Sequence, residues 1–174
     1  MKKIRFNQTL IFTPVLLVLF SLVQCSPKMY NTGKDFAAAG NYQDAIDQFT
    51  KQIELKPEFT DAYIARAQAY EKLGNPTEAA NDYKRATTFD AKNASNFYNA
   101  GRLYFDLKDY NEAISMLSKA TTLDKKHVNA YKLKLKSNIE LKDYEKALKE
   151  SDAVLALEQN PTNYYWHAFV HEKL

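Results

Sequence analysis

The sequence predicts an all-α fold built as a stack of antiparallel helix pairs, and three observations predict it. Ala45, Ala79, Ala113 and Ala147 stand 34 residues apart, and the residues around each alanine repeat in kind. Large aromatic and small residues alternate at fixed offsets on the same period: Met29, Tyr63, Phe97 and Tyr131; Gly33, Ala67, Gly101 and Leu135; Phe36, Tyr70, Tyr104 and Asn138; Phe49, Tyr83, Leu117 and Ser151. Each unit divides into two stretches of helical period, about three turns each, separated by turn-forming residues.

The elements follow in order. The first unit, about residues 26–59, breaks at Gly40-Asn41, and Pro57 marks the end of its second helix. The second, about 60–93, breaks at Gly74-Asn75-Pro76, and the third, about 94–127, at Lys108-Asp109. The fourth, about 128–161, breaks at Lys142-Asp143 and keeps Tyr131, Tyr144 and Ala147. It carries Leu135, Asn138, Ser151 and Val154 where small, aromatic, aromatic and small residues are expected, so its helices should pack less ideally. A partial unit, about 162–174, follows Pro161: Tyr164 to Leu174 resembles Tyr63 to Leu73, down to the shared Glu-Lys-Leu ending. Tyr165, Trp166, Phe169 and Val170 are apolar for a helix that should cap an array with a polar face.

This pattern of aromatic, small, alanine and proline positions resembles the tetratricopeptide repeat. The resemblance implies a right-handed α-solenoid over residues 29–174, with four full repeats and one terminal helix. Small residues at Gly33 or Ala67 in the first helix and Ala45 or Ala79 in the second let two backbones approach closely, and Ala86 and Ala120 do the same between units. Leucine at one of those alanines would overpack the unit, at roughly 1–3 kcal/mol.

Ahead of the repeats, Lys2, Lys3 and Arg5 precede an apolar stretch from Leu10 to Val23 that ends at Cys25. That is the layout of a signal peptide. The stretch has 14 residues and includes Thr13, Pro14 and Ser21, short of the roughly 20 that cross a bilayer, which speaks against an uncleaved anchor. Leu22-Val23-Gln24-Cys25 resembles the lipobox of bacterial lipoproteins, although Gln24 departs from the small residue usual there. The resemblance implies removal of residues 1–24, acylation of Cys25, for instance by palmitate, and a tether of residues 25–28. Cys25 is the only cysteine of the chain, so a disulfide framework is excluded. A free cysteine at the end of an ordinary cleaved signal is the alternative. Two or more acyl chains hold a protein stably on a membrane, and Ser26, Pro27 and Lys28 would span roughly 10 Å.

Charge and chemistry narrow the function. Lys2, Lys3 and Arg5 account for the whole excess of 24 basic over 21 acidic residues, and no acidic residue precedes Cys25, so the remainder is formally neutral. Nucleic acid is therefore not an expected partner. The three histidines, His127, His167 and His171, fit no metalloprotease or deaminase pattern, and two histidines four apart are too few for a structural zinc site. Nucleophile elbows, phosphate-cradling glycine loops and calcium loops are absent from the sequence, and four glycines leave little loop to carry them. No enzyme activity, cofactor, metal or small-molecule substrate is expected.

Binding remains. In the family resembled, the first helix of each unit lines a concave groove that takes extended or helical peptide segments. Carried over by position, that surface comprises Tyr30, Lys34, Ile64, Gln68, Tyr98, Asn99, Arg102, Phe105, Lys132 and Lys136. Tyr98 and Arg102 are expected to face solvent. Aromatic and cationic side chains together suit a segment with apolar anchors and some acidic character. The carboxylate clamp of chaperone-binding members would fall on Tyr30, Lys34, Ala65, Ser95 and Asn99, where only Asn99 is of the expected type. The sequence thus points to a lipid-anchored adaptor for other proteins in a bacterial envelope, on the periplasmic side of the outer membrane. Two alternatives stay open: the N-terminal docking part of a longer envelope enzyme or peptidoglycan-binding protein, and a self-assembling structural subunit.

Overall fold

The computed structural model describes residues 28–174. The leader, Cys25 and the junction through Pro27 lie outside the described residues. Helix α1 covers residues 28–38, so Lys28, assigned to the tether, is already helical. It is followed by α2 (Tyr42–Leu55), α3 (Thr60–Lys72), α4 (Pro76–Phe89), α5 (Ala94–Asp106), α6 (Tyr110–Leu123), α7 (Val128–Glu140), α8 (Tyr144–Leu157) and α9 (Pro161–Lys173). Each helix from α2 onward packs on the next in the chain, and first helices of adjacent pairs also meet, as α5 and α7 do. No strand occurs among the described residues. Helices α3, α5 and α7 begin at Thr60, Ala94 and Val128, but α9 begins at Pro161, one residue early for that period.

The turn inside each pair has one repeating geometry. Gly40, Gly74, Lys108 and Lys142 all take positive φ. The next residue's N–H then reaches back to the carbonyl five positions earlier: Asn41 to Phe36, Asn75 to Tyr70, Asp109 to Tyr104 and Asp143 to Asn138, each at 2.9 Å. This is the glycine-type helix stop, which satisfies a terminal carbonyl. Lysine in the left-handed region costs about 1–2 kcal/mol. The aspartate after it offsets part of that, because Asp109 and Asp143 accept from the N–H groups of Glu112 and Lys146 and so cap the following helix. Asn41 and Asn75 make no such side-chain cap.

Close approach within the pairs rests on residue size. Ala45, Ala79, Ala113 and Ala147 are completely buried. A methyl group on Gly33 would lie 2.5 Å from the Phe49 ring, and one on Gly101 would lie 2.6 Å from Cγ of Leu117. The same offset sets Leu135 opposite Ser151. Leu135, Asn138, Ser151 and Val154 of the fourth pair are all buried, none more than 3% exposed. These four positions stay covered because large and small have exchanged sides, and the Ser151 hydroxyl is satisfied by donating to the Leu148 carbonyl. The two helices nonetheless meet less extensively than α3 with α4 or α5 with α6, as expected.

A second position in the pairs varies in chemistry rather than size. Arg66 of α3 donates two hydrogen bonds to Asp82 of α4, at 2.7 and 2.8 Å, and a third to the Thr50 hydroxyl of α2 at 2.9 Å. One unit later the same slot holds Ala100 and Met116, both buried. A further unit on, it holds Lys134 and Glu150, 2.8 Å apart. Burial pushes the Asp82 carboxyl above its ordinary value even though Arg66 pulls it down, so removing this charge from water has a net cost.

Two outcomes follow for stability, read by urea unfolding. Gly101→Ala, which would gain up to about 1 kcal/mol on helix propensity alone, should instead lose roughly 1–3 kcal/mol by driving into Leu117. Much of that loss should return in a double variant with Leu117→Val, and a stabilising Gly101→Ala would refute the close approach. Arg66→Ala should cost about 3–5 kcal/mol by orphaning Asp82. The pair Arg66→Ala with Asp82→Met, which copies the third unit, should come within about 1 kcal/mol of the original or exceed it. A double variant as unstable as the single one would show that the ion pair contributes net stability.

Candidate partner-binding groove

The first helices α1, α3, α5, α7 and α9 share one face of the stack, and the sequence-expected binding residues fall into three groups along it. Tyr30, Lys34 and Gln68 come together in a cavity of about 370 Å³ between α1 and α3, with Ala65 and Lys72. Lys132 and Lys136 line a second cavity of about 340 Å³ between α7 and the start of α9, with Asn160 and Trp166. Ile64, Tyr98 and Phe105 lie between these cavities, half-buried and packed against the main hydrophobic core. Asn99 is half-buried beside them.

Two expectations need correction here. Tyr98 does not stand free in solvent: its ring lies 4.4 Å from that of His127 and rests on core residues. Arg102 is half-buried and hydrogen-bonded to Glu71, with Asp106 a further 3.6 Å away. A guanidinium on a helix reaches both its own next turn and the neighbouring first helix, and carboxylates wait at both places. Glu71 also accepts from the Tyr83 hydroxyl at 3.1 Å, and burial raises the pKa of that hydroxyl well above its ordinary value. The middle of the groove thus neutralises itself.

Its ends do not. Among the described residues, Lys34, Lys72 and Lys136 have no carboxylate within ion-pair distance. Lys34 sits over the Tyr30 ring, 5.1 Å from its centroid, a cation–π arrangement that leaves its charge available. Lys132 pairs with Glu158 at 2.5 Å, and that lysine holds the Glu158 carboxyl below its ordinary value.

Sequence reasoning noted the aromatics of α9 but did not assign them to the groove, where Trp166 lines the second cavity. In α9 the rings of Tyr165, Trp166 and Phe169 cluster at 5.4 to 6.5 Å, and Tyr165 is 62% exposed. The match of Tyr164–Leu174 to Tyr63–Leu73 held the signal, for it carries Ile64 onto Tyr165, Ala65 onto Trp166 and Gln68 onto Phe169. Lys72 was missed as well, because it lies at the last turn of α3 rather than at a repeated groove position.

One cluster resembles a hydrolytic site without its geometry. Ser151 Oγ lies 3.0 Å from Nδ1 of His167, and Asp152 Oδ1 lies 3.5 Å from that same nitrogen. A serine–histidine–carboxylate relay needs the two partners on opposite ring nitrogens. Ser151 is buried and donates to the Leu148 carbonyl. The rings of His167 and His171 stand 4.6 Å apart, and no group of three metal-ligating side chains gathers among the described residues. No helix among the described residues is long and apolar enough to cross a membrane.

Comparison with known proteins agrees with this architecture. The family model of the tetratricopeptide repeat matches residues 30–94, and that of anaphase-promoting complex, cyclosome, subunit 3 matches residues 83–154. The F-box/TPR repeat protein pof3 of Schizosaccharomyces pombe is 35% identical over 71 residues, which is 40% of this chain and 12% of that protein. In three of the curated relatives it matches, the chain spans 7% to 16% of their lengths. Among solved structures, a MamA protein superposes with a TM-score of 0.77 at 18% identity, covering 86% of this chain and 82% of the other. The TPR domain of Arabidopsis OM64 superposes with a TM-score of 0.59 at 25% identity, covering 66% of this chain and 96% of that domain. The described residues therefore form a right-handed α-solenoid of tetratricopeptide repeats, four helix pairs and a terminal helix, a fold that generally binds other proteins as a non-catalytic scaffold.

Proposed function

We propose that this protein is a membrane-anchored adaptor of the bacterial cell envelope, held by lipid on Cys25 and binding a peptide or helical segment of a partner protein in the groove of its first helices. The observation that carries the binding half is the segregation of charge along that groove. Lys34, Lys72 and Lys136 keep unneutralised cations beside Tyr30 and Trp166, while Arg102 at the centre is neutralised. Cationic rims select and steer an acidic segment, and the half-buried rings of Tyr30 and Trp166 give it apolar anchorage. The anchoring half rests on the sequence of the leader: three cations, a short apolar run and a single cysteine where it stops. Resemblance to envelope lipoproteins supports the periplasmic side of the outer membrane.

Both halves can be tested. Mass spectrometry of membrane-extracted protein should find Cys25 as an acylated N-terminus, and Cys25→Ala should move the protein to the soluble fraction. A mature N-terminus elsewhere, or unchanged fractionation, defeats the anchor. For the groove, Lys34→Glu with Lys72→Glu should weaken partner capture in cells by about tenfold or more, roughly 1.4 kcal/mol, with helicity and melting unchanged. Lys119→Glu on the second-helix surface should leave capture intact. The reverse pattern would move the functional surface to the second helices.

A further inference from the structure

We infer that the cavity between α7 and α9 anchors an acidic side chain of the partner segment, with a neighbouring aromatic or aliphatic side chain of that segment packed on the α9 rings. This rests on the reading of the first-helix face as the binding groove and specifies which point of it recognises what. Lys132 and Lys136 stand one helical turn apart on α7 and line the same side of the cavity, with Trp166 across from them. Lys136 is exposed and has no carboxylate within ion-pair distance among the described residues. Lys132 is engaged by Glu158, but the pair is open to solvent, with side chains 32% and 45% exposed. Such pairs contribute little, so a partner carboxylate can exchange with Glu158.

The apolar half of the site is distinctive within the chain. Where α9 presents Tyr165, Trp166 and Phe169, the corresponding positions of α3 are Ile64, Ala65 and Gln68, and those of α7 are Lys132, Leu133 and Lys136. The α1–α3 cavity also sets rings beside two lysines, but its Tyr30, Tyr42 and Phe49 come from two helices and Phe49 is buried; here the three rings cluster on one helix and Tyr165 is exposed. A basic segment would set cation against cation there. An acidic and apolar peptide satisfies both walls of the cavity.

The test uses the full chain and three sets of fluorescein-labelled dodecapeptides. One set combines Asp and Glu with Phe and Leu; a second replaces the acids with Lys and Arg; a third replaces them with Ser and Asn. Fluorescence anisotropy should show the acidic set binding at least about tenfold more tightly than either other set, and weakening as salt is raised. Lys136→Glu should reduce that binding by tenfold or more, and so should Tyr165→Ser, a change at an exposed ring that leaves folding intact by circular dichroism. Equal binding of the three sets, or binding of none, overturns the inference. Loss of acidic-peptide binding in Lys34→Glu with Lys72→Glu, but not in Lys136→Glu or Tyr165→Ser, overturns this site while leaving the groove reading standing. Sedimentation showing a dimer that Tyr165→Ser dissolves would assign the face to a second copy instead.

Discussion

The closeness of the two helices within each pair is the constraint from which the rest of the structure follows. It is set where a completely buried alanine of the second helix meets a small residue or a size-matched partner on the first. Gly33 under Phe49 and Gly101 under Leu117 leave no room for a methyl group, and close-packed interiors tolerate such additions poorly. Because every pair is closed in this way, the pairs stack in chain order and the first helices follow one another along one face. The groove is thus a consequence of the alanine spacing, not of any groove residue.

That dependence explains which parts were legible in the sequence. Volume matching repeats wherever the same two helices must meet, so Ala45, Ala79, Ala113 and Ala147 announced the fold directly. The fourth pair shows how the rule bends. Leu135 and Ser151 break the pattern residue by residue while keeping its total volume, and a position-by-position comparison reads as misfit what the structure reads as exchange. The inter-helix slot at Arg66 and Asp82 was illegible for the opposite reason: an ion pair, an apolar pair and a second ion pair occupy equivalent places, and no single residue type marks it. Only the distance between the helices is shared.

The groove residues were partly legible. Their positions followed from the repeat, and the cavities gather Tyr30, Lys34 and Gln68 at one end and Lys132 and Lys136 at the other. Their chemical state did not follow. Whether a cation on a first helix is available depends on what the adjacent first helix offers, and this is a relation between units that a single-unit register cannot express. Arg102 finds Glu71 one unit earlier and Asp106 one turn on; Lys136 finds neither. Tyr98, likewise, is drawn onto His127 and the core beneath it.

The one-residue shift of α9 ties these threads together. Because α9 starts at Pro161, a strict period would read Trp166 into the place that Tyr165 occupies and Val170 into the place of Phe169. In the actual register Val170 is completely buried and anchors α9 against Leu135 and Ala147, while Tyr165 and Phe169 extend the groove. Tyr164 then falls where Tyr63 and Phe97 are buried beneath a second helix, and without that cover it is 51% exposed. The terminal helix therefore carries two distinct apolar surfaces. One continues the groove beside Lys132 and Lys136, and the other lies where a pair would close. Charge distinguishes them: Lys132 and Lys136 flank the first surface and match it to an acidic segment, whereas the Tyr164 hydroxyl donates to the side chain of Gln159.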